Sequence, residues 1–196
     1  MRTILFILLS LSIGAANATI ITTGNVTTTG STYSISNGNS SISDVDIETF
    51  AGLSEGSLDA FSTGDATEGA ALTTTFDLFD SDTLSFDWLW GTVESAADWP
   101  DYNDFAFVSF GLAGSGNLYL LADILTTGGT DGTFSWLVDT SGTYVLTIGV
   151  LDVGDTSFDS TLRVGNIAID VPEPTSLAIL GLGLLGLGFS SRKKSK

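Results

Sequence analysis

Short stretches of this chain place apolar residues at every second position, and that period limits what it can fold into. Between Thr83 and Trp90, Leu84, Phe86, Trp88 and Trp90 share one face, while Ser85 and Asp87 take the other. Successive side chains of an extended strand point to opposite faces, so this period belongs to a half-buried strand rather than a helix. Tyr144, Leu146, Ile148 and Val150 repeat it within a longer run, Thr143 to Val153. Phe105 to Phe110 carries apolar residues on both faces, as a central strand covered on both sides would. Further strands are expected at 19–23, 31–36, 70–79, 118–124, 133–138 and 161–170, separated by Gly, Ser, Thr and Asp. One or two helical turns are expected over Ile47 to Leu53, with Asp44 or Asp46 at the start and Gly52 or Gly56 as the stop. About eight to ten strands in about 150 residues indicate an all-β fold, a two-sheet jelly-roll-like sandwich.

Both ends of the chain fall outside that pattern. Met1-Arg2, the apolar run Ile4 to Ile13 and the small-x-small triplet Ala16-Asn17-Ala18 read as a signal peptide. Residues 1–18 are therefore expected to engage the Sec translocon and to be cut by signal peptidase after Ala18. The β-sandwich ectodomain is expected over residues 19–170. Residues 171–196 form a separate segment: a proline-locked break at 172–174, an apolar stretch at 175–190, and a basic end at 192–196. Pro172 and Pro174 fix their own backbone, lack an N–H, and push the preceding residues to extended conformations, so a strand must stop there. As a helix, Thr175 to Phe189 spans about 22 Å at a rise of about 1.5 Å per residue. That is short for a hydrocarbon core of about 30 Å, a gap that snorkelling cations can close. Arg192, Lys193, Lys194 and Lys196 place this end on the cytoplasmic side by the positive-inside rule.

The order of Pro172-Glu173-Pro174, apolar run and basic cluster resembles the PEP-CTERM protein-sorting signal. The resemblance implies recognition by a membrane-embedded exosortase in a Gram-negative bacterium that exports polysaccharide. It also implies at least transient anchoring in the inner membrane, then release to the cell surface or extracellular matrix. Glu68-Gly69-Ala70, Thr83-Leu84-Ser85-Phe86-Asp87-Trp88, Asn103-Asp104-Phe105-Ala106-Phe107-Val108 and Asp159-Ser160-Thr161-Leu162-Arg163-Val164 look like a β-sandwich body common among PEP-CTERM proteins. Gly165 precedes Asn166 where that group often has Asp-Asn, so an ion-ligand role is not carried over to this position. The group supplies no catalytic residue.

Charge narrows the function further. All of the 23 acidic residues except Glu173 lie between residues 19 and 171, where Arg163 is the sole basic residue. A surface so lacking in cations cannot replace phosphate counterions, which excludes nucleic acid as a partner, and it disfavours anionic lipid. It suits solubility and binding of divalent cations. The chain has no cysteine and no histidine, so neither a disulfide nor a typical zinc site is open to it.

Two acidic loops offer the oxygen donors a hard cation needs. One contains Asp98, Asp101, Asn103 and Asp104; the other contains Asp152, Asp155, Asp159 and Ser160. The candidate ligands of a structural calcium ion are Asp101, Asn103, Asp104, Asp155 and Asp159. The competing reading is that these are solvated turn aspartates, which cap turns through their own backbone. Trp88, Trp90 and Trp136 read as core residues, whereas Trp99 and Tyr102 sit in a loop where either can stack on a sugar ring.

Catalysis has little support. Serine or cysteine nucleophiles usually need a histidine base, and the glutamates Glu48, Glu55, Glu68 and Glu94 sit in no recognisable motif. The leading expectation is a non-catalytic, exported surface or matrix protein that binds polysaccharide. The alternatives are a secreted glycan-active hydrolase and an ice- or surface-binding protein. The last needs a regular threonine ladder, and Thr27-Thr28-Thr29 and Thr73-Thr74-Thr75 are contiguous rather than spaced at period two.

Overall fold

The run at 143–153 forms strand β10 (Gly142–Val153), which pairs antiparallel along both edges. On one side lies β5 (Ala66–Leu78), on the other β7 (Phe105–Leu112). The computed structural model describes residues 19–62, 64–94, 102–124, 130–172 and 182–183. Outside β5 lie β1 (Ile21–Thr23) and β4 (Ile42–Ser43), on successive parts of the same edge. Outside β7 lies β8 (Asn117–Asp123). These six strands form the first sheet. The second sheet has five strands in the order β2 (Asn25–Thr29), β3 (Thr32–Ser36), β11 (Thr161–Asp170), β6 (Thr83–Gly91) and β9 (Asp131–Leu137). The chain changes sheet after β1, β3, β5, β6, β8, β9 and β10, which makes the two sheets one interwoven sandwich.

The register puts the alternating residues where their periodicity requires. Leu84, Phe86 and Trp90 face inward from β6 and meet Leu146, Ile148 and Val150 of β10 in the main core. Aromatic rings fill the end of this core near Tyr144. Phe110 stacks on Tyr144 at 5.2 Å, and Phe86 stacks on Phe134 at 5.0 Å. Trp136 meets Phe110 edge-on at 5.9 Å, so Trp88, Trp90 and Trp136 are all core or core-flanking residues.

Strand β7 and most of β10 are buried on both faces, which explains why β7 is apolar apart from the buried Ser109. A second cluster forms behind it from Ala71, Phe105, Phe107, Leu151 and Val153. Helix α1 (Asp44–Ala51) and a 3-10 turn (Asp59–Phe61) supply Ile47 and Leu58 to cover it. The side chain of Ser43 accepts the Asp46 N–H at 3.2 Å, and Asp44 and Asp46 complement the positive helix end. Gly52 stops the helix in the left-handed conformation with φ 68°. The fully buried Glu48 carboxylate accepts the N–H groups of Gly56 at 2.9 Å and Leu58 at 2.8 Å, tying the helix to the segment that follows.

The structure differs from the sequence reading in several places, the two-residue strand β4 among them. Strand β2 has no counterpart among the expected strands, because three exposed threonines hide its period. Strand β5 begins at Ala66 rather than residue 70, since small residues such as Gly69 pack tightly without an apolar signal. The helical segment begins at Asp44 because Ser43 is its cap. Residues 1–18 are outside the described residues, as is nearly all of 173–196, so the signal peptide and the transmembrane stretch fall there. Among the described residues no helix is long and apolar enough to cross a membrane.

Gly24 is the corner at which the chain leaves β1 for β2. Its φ is 69°, and a Cβ there would lie 2.6 Å from the Gly69 carbonyl oxygen. Gly30 has φ 62° but open space around it. Gly24→Ala is therefore expected to destabilise the chain by about 3 kcal/mol, and Gly30→Ala by only about 1 kcal/mol. Urea unfolding compares them directly, and equal losses would remove the close-packed corner from this account.

Candidate functional site

At the end of the sandwich away from the aromatic core, the interior becomes polar. Asp104 immediately precedes β7 and is fully buried. Asp152 is the penultimate residue of β10, on the face that Ile148 and Val150 give to the core, and is 1% exposed. Both sheets send groups to this point. The Asn37 side-chain amide, just after β3, donates to Asp104 Oδ2 at 2.6 Å. The Val153 N–H donates to Asp104 Oδ1 at 3.2 Å. Ser160, just before β11, donates its N–H to Asn37 Oδ1 at 2.6 Å and its hydroxyl to Thr92 Oγ1 at 2.8 Å. The Asp104 N–H bonds the Glu94 carboxylate, and Asp104 also makes side-chain hydrogen bonds with Glu94 and Asp152.

This crowding has electrostatic consequences. Burial, then the negative charges of Asp104, Asp155, Glu94 and Glu68, pushes the Asp152 carboxyl up to about 9. Burial, and then Asp104, pushes Glu94 up to about 7. Asp104 is also raised by burial, against the opposing effect of its hydrogen bonds from Ser160 and Asn37. One oxygen of Asp152 and one of Glu94, Oδ1 and Oε2, are buried without a hydrogen-bond partner. Carboxyls in mutual contact stay together by sharing a proton or by gaining a cation.

The structure divides the expected calcium ligands. Asp104 lies at the centre, and the half-buried Asp155 is close enough to raise its neighbours. Asn103 turns elsewhere: its amide donates to Asp123 Oδ2 at 3.3 Å, and its oxygen accepts the Ile124 N–H at 3.1 Å. Asp159 is exposed beside Gly38. Asp101 and Trp99 lie outside the described residues, and Tyr102 is half-buried. Among the described residues, no group of three or more acidic side chains forms a ready-made metal cluster. Sequence reasoning did not assign Asn37, Thr92 or Glu94 to this site, because Asn37 and the Thr92–Glu94 segment are far from Asp104 and Asp152 along the chain. Asp152 carried a usable signal, since it is a charge on the inward face of an otherwise apolar run.

A second feature lies on the outer face of the five-stranded sheet. An open cleft of about 460 Å³ is lined by Leu89, Thr92, Val93, Asp159, Thr161 and Arg163, among others. Leu89 and Val93 are exposed there at 46% and 74%. Further along this face, Asp87 accepts from Thr133 Oγ1 at 2.7 Å and from the Asn166 amide at 2.8 Å, and these bonds hold its carboxyl below the usual range.

Raised carboxyls set the sign of the pH dependence. Between the unfolded and folded values of Asp152 and Glu94, the native state binds more protons than the unfolded chain, so stability falls as pH rises. In chelator, Tm is expected to drop by roughly 5 °C or more from pH 5 to pH 9. Asp152→Asn should flatten that slope, and an unchanged slope in the variant would place the titrating group elsewhere.

Comparison with known proteins adds one assignment. No curated protein matches the chain. Among the solved structures that resemble it in outline are the following three. One is described as "CBM4 structure and function", with 12% identity over 77% of this chain and 93% of that one, at a TM-score of 0.32. Another is the enzymatically active domain of bacteriophage CBA120 tailspike protein 4, with 14% identity over 80% of this chain and 20% of that one, at a TM-score of 0.33. The third is accessory secretory protein 1, 2 and 3 of Streptococcus pneumoniae, with 13% identity over 76% and 90%, at a TM-score of 0.31. The family model of the PEP-CTERM protein-sorting motif matches residues 170–193. The chain thus carries, directly after its last strand, the sorting signal of an exported protein processed by exosortase.

Proposed function

We propose that this chain is a non-catalytic component of the cell surface or extracellular matrix, and that its sandwich binds extracellular polysaccharide. The observation that carries the reading is the junction between fold and signal. Strand β11 ends at Asp170, and the sorting motif begins at that residue. The sandwich is therefore the part joined directly to the sorting signal.

The outer face of the five-stranded sheet supports the binding half of the reading. Its cleft combines exposed aliphatic surface at Leu89 and Val93 with hydroxyl, carboxylate and guanidinium groups at Thr161, Asp159 and Arg163. Sugars present the same mixture of C–H faces and hydroxyl edges. An open cleft accepts a polymer along its length, whereas an enclosed pocket takes a chain end.

One observation favours a second reading. Glu94 follows Val93 at the cleft and is raised to about 7, the range of a general acid working near neutral pH. A glycan-active hydrolase would use it in that role. The ice-binding alternative gains no support at β5: Thr74 is buried, so Thr73 to Thr75 present no contiguous outward array.

Affinity electrophoresis of the purified chain through gels containing the host's own exopolysaccharide tests the reading. Retardation is expected, with at least a tenfold loss of affinity in the double variant Leu89→Ala, Arg163→Ala. Free migration of the wild-type chain would remove the binding claim. Cleavage of the polymer that disappears with Glu94→Gln would replace it with the hydrolase.

A further inference from the structure

The polar interior at Asp104, Asp152 and Glu94 is an unusual thing for this chain to keep. Asp152 is 1% exposed, and its Oδ1 has no donor. Glu94 Oε2 is likewise buried and without a donor. An unsatisfied buried polar atom costs about 1–3 kcal/mol, and more when it is charged. The interior offers no ammonium or guanidinium, because Arg163, the one basic residue between 19 and 171, stands exposed on β11. What donors exist are already used: the Asn37 amide and the Val153 N–H both go to Asp104.

We propose that this interior end of the sandwich is a site for a hard divalent cation, calcium by its chemistry, with Asp152, Glu94 and Asp104 as its carboxylate ligands. The two oxygens without donors belong to two of these three residues, and Asp104 touches both partners. No three acidic side chains among the described residues already ring one point, so the ion's seat forms when the Asp152 and Glu94 carboxylates turn toward it. Ser160 Oγ lies against the same group and can add a neutral oxygen. All these donors are oxygen, and no histidine or cysteine is present to favour zinc. Calcium accepts six to eight oxygens in irregular arrangements, whereas magnesium demands a near-ideal octahedron and holds its water. The ion would join β6, β7 and β10 across the two sheets, doing for an exported chain without cysteine what a disulfide does elsewhere. Thr92 borders both this site and the outer-face cleft, but the three carboxylates do not line the cleft, and the proposal does not depend on the polysaccharide reading.

The test uses the full chain, purified in mild detergent at pH 8. Calcium retention is measured by equilibrium dialysis, and Tm is measured in calcium and in chelator. The site predicts about one calcium per chain and a Tm rise of roughly 5 °C or more at millimolar calcium. Asp152→Asn keeps the shape but removes a charge, so it should lose the retained calcium while melting higher than wild type in chelator. Glu94→Gln, at a half-buried position, gives an independent reading should Asp152→Asn fail to fold. Asp159→Asn, at an exposed position, should leave retention unchanged. No retained calcium in the wild-type chain, or retention unaltered in both Asp152→Asn and Glu94→Gln, would overturn the proposal.

Discussion

Asp104 is buried between two sheets, and much of the structure follows from how its carboxylate is satisfied. A carboxylate removed from water must find donors or lose its charge. Its donors come from both layers: Asn37 from the five-stranded sheet and the Val153 N–H from the six-stranded one. Asn37 is in turn held by Ser160, so β3, β7, β10 and β11 all end in one network. A slip of one residue in any of these strands would point its inward side chains outward and break the network. The aromatic core at the opposite end of β10 is adaptable by comparison, because ring contacts tolerate small shifts. The polar end therefore fixes the alignment of the layers, while the apolar end supplies most of the burial.

This division of labour suits what the chain does after synthesis. It has no disulfide to hold two sheets together outside the cell, and its surface is strongly acidic. Self-repulsion of the carboxylates opposes folding, most of all where several share one interior. Closing that end with hydrogen bonds from both sheets, and with a cation where one is bound, offsets the repulsion at its strongest point. The cleft on the outer face begins beside this junction, since Thr92 belongs to both.

Much of this was legible in the residues. Strand β6 and most of β10 announce themselves by period two, and the apolar residues on both faces of β7, interrupted only by Ser109, indicate a strand covered on both sides. The sorting signal is legible because it is local: proline, apolar and basic elements follow one another in a single stretch. The polar junction is not local. Asn37, Glu94, Asp104, Asp152 and Ser160 converge only after five strands are in register, so proximity along the chain does not reveal the group. Asn103, next to Asp104, serves a different partner because adjacent residues at a strand's start point to opposite sides. Asp159, next to Ser160, is turned to solvent for a similar reason. Strand β2 was hidden because an exposed edge strand has no apolar face to reveal it.

Native-state hydrogen exchange at two amides tests the junction most directly. The Val153 N–H bonds Asp104, and the Ser160 N–H bonds Asn37. If this network aligns the layers, both amides open only when the whole sandwich unfolds, with free energies equal to the global value from urea unfolding. Exchange at either amide through a local opening several kcal/mol below the global value, with β7 and β10 still protected, would show that the sheets stay aligned without the junction and would contradict the account.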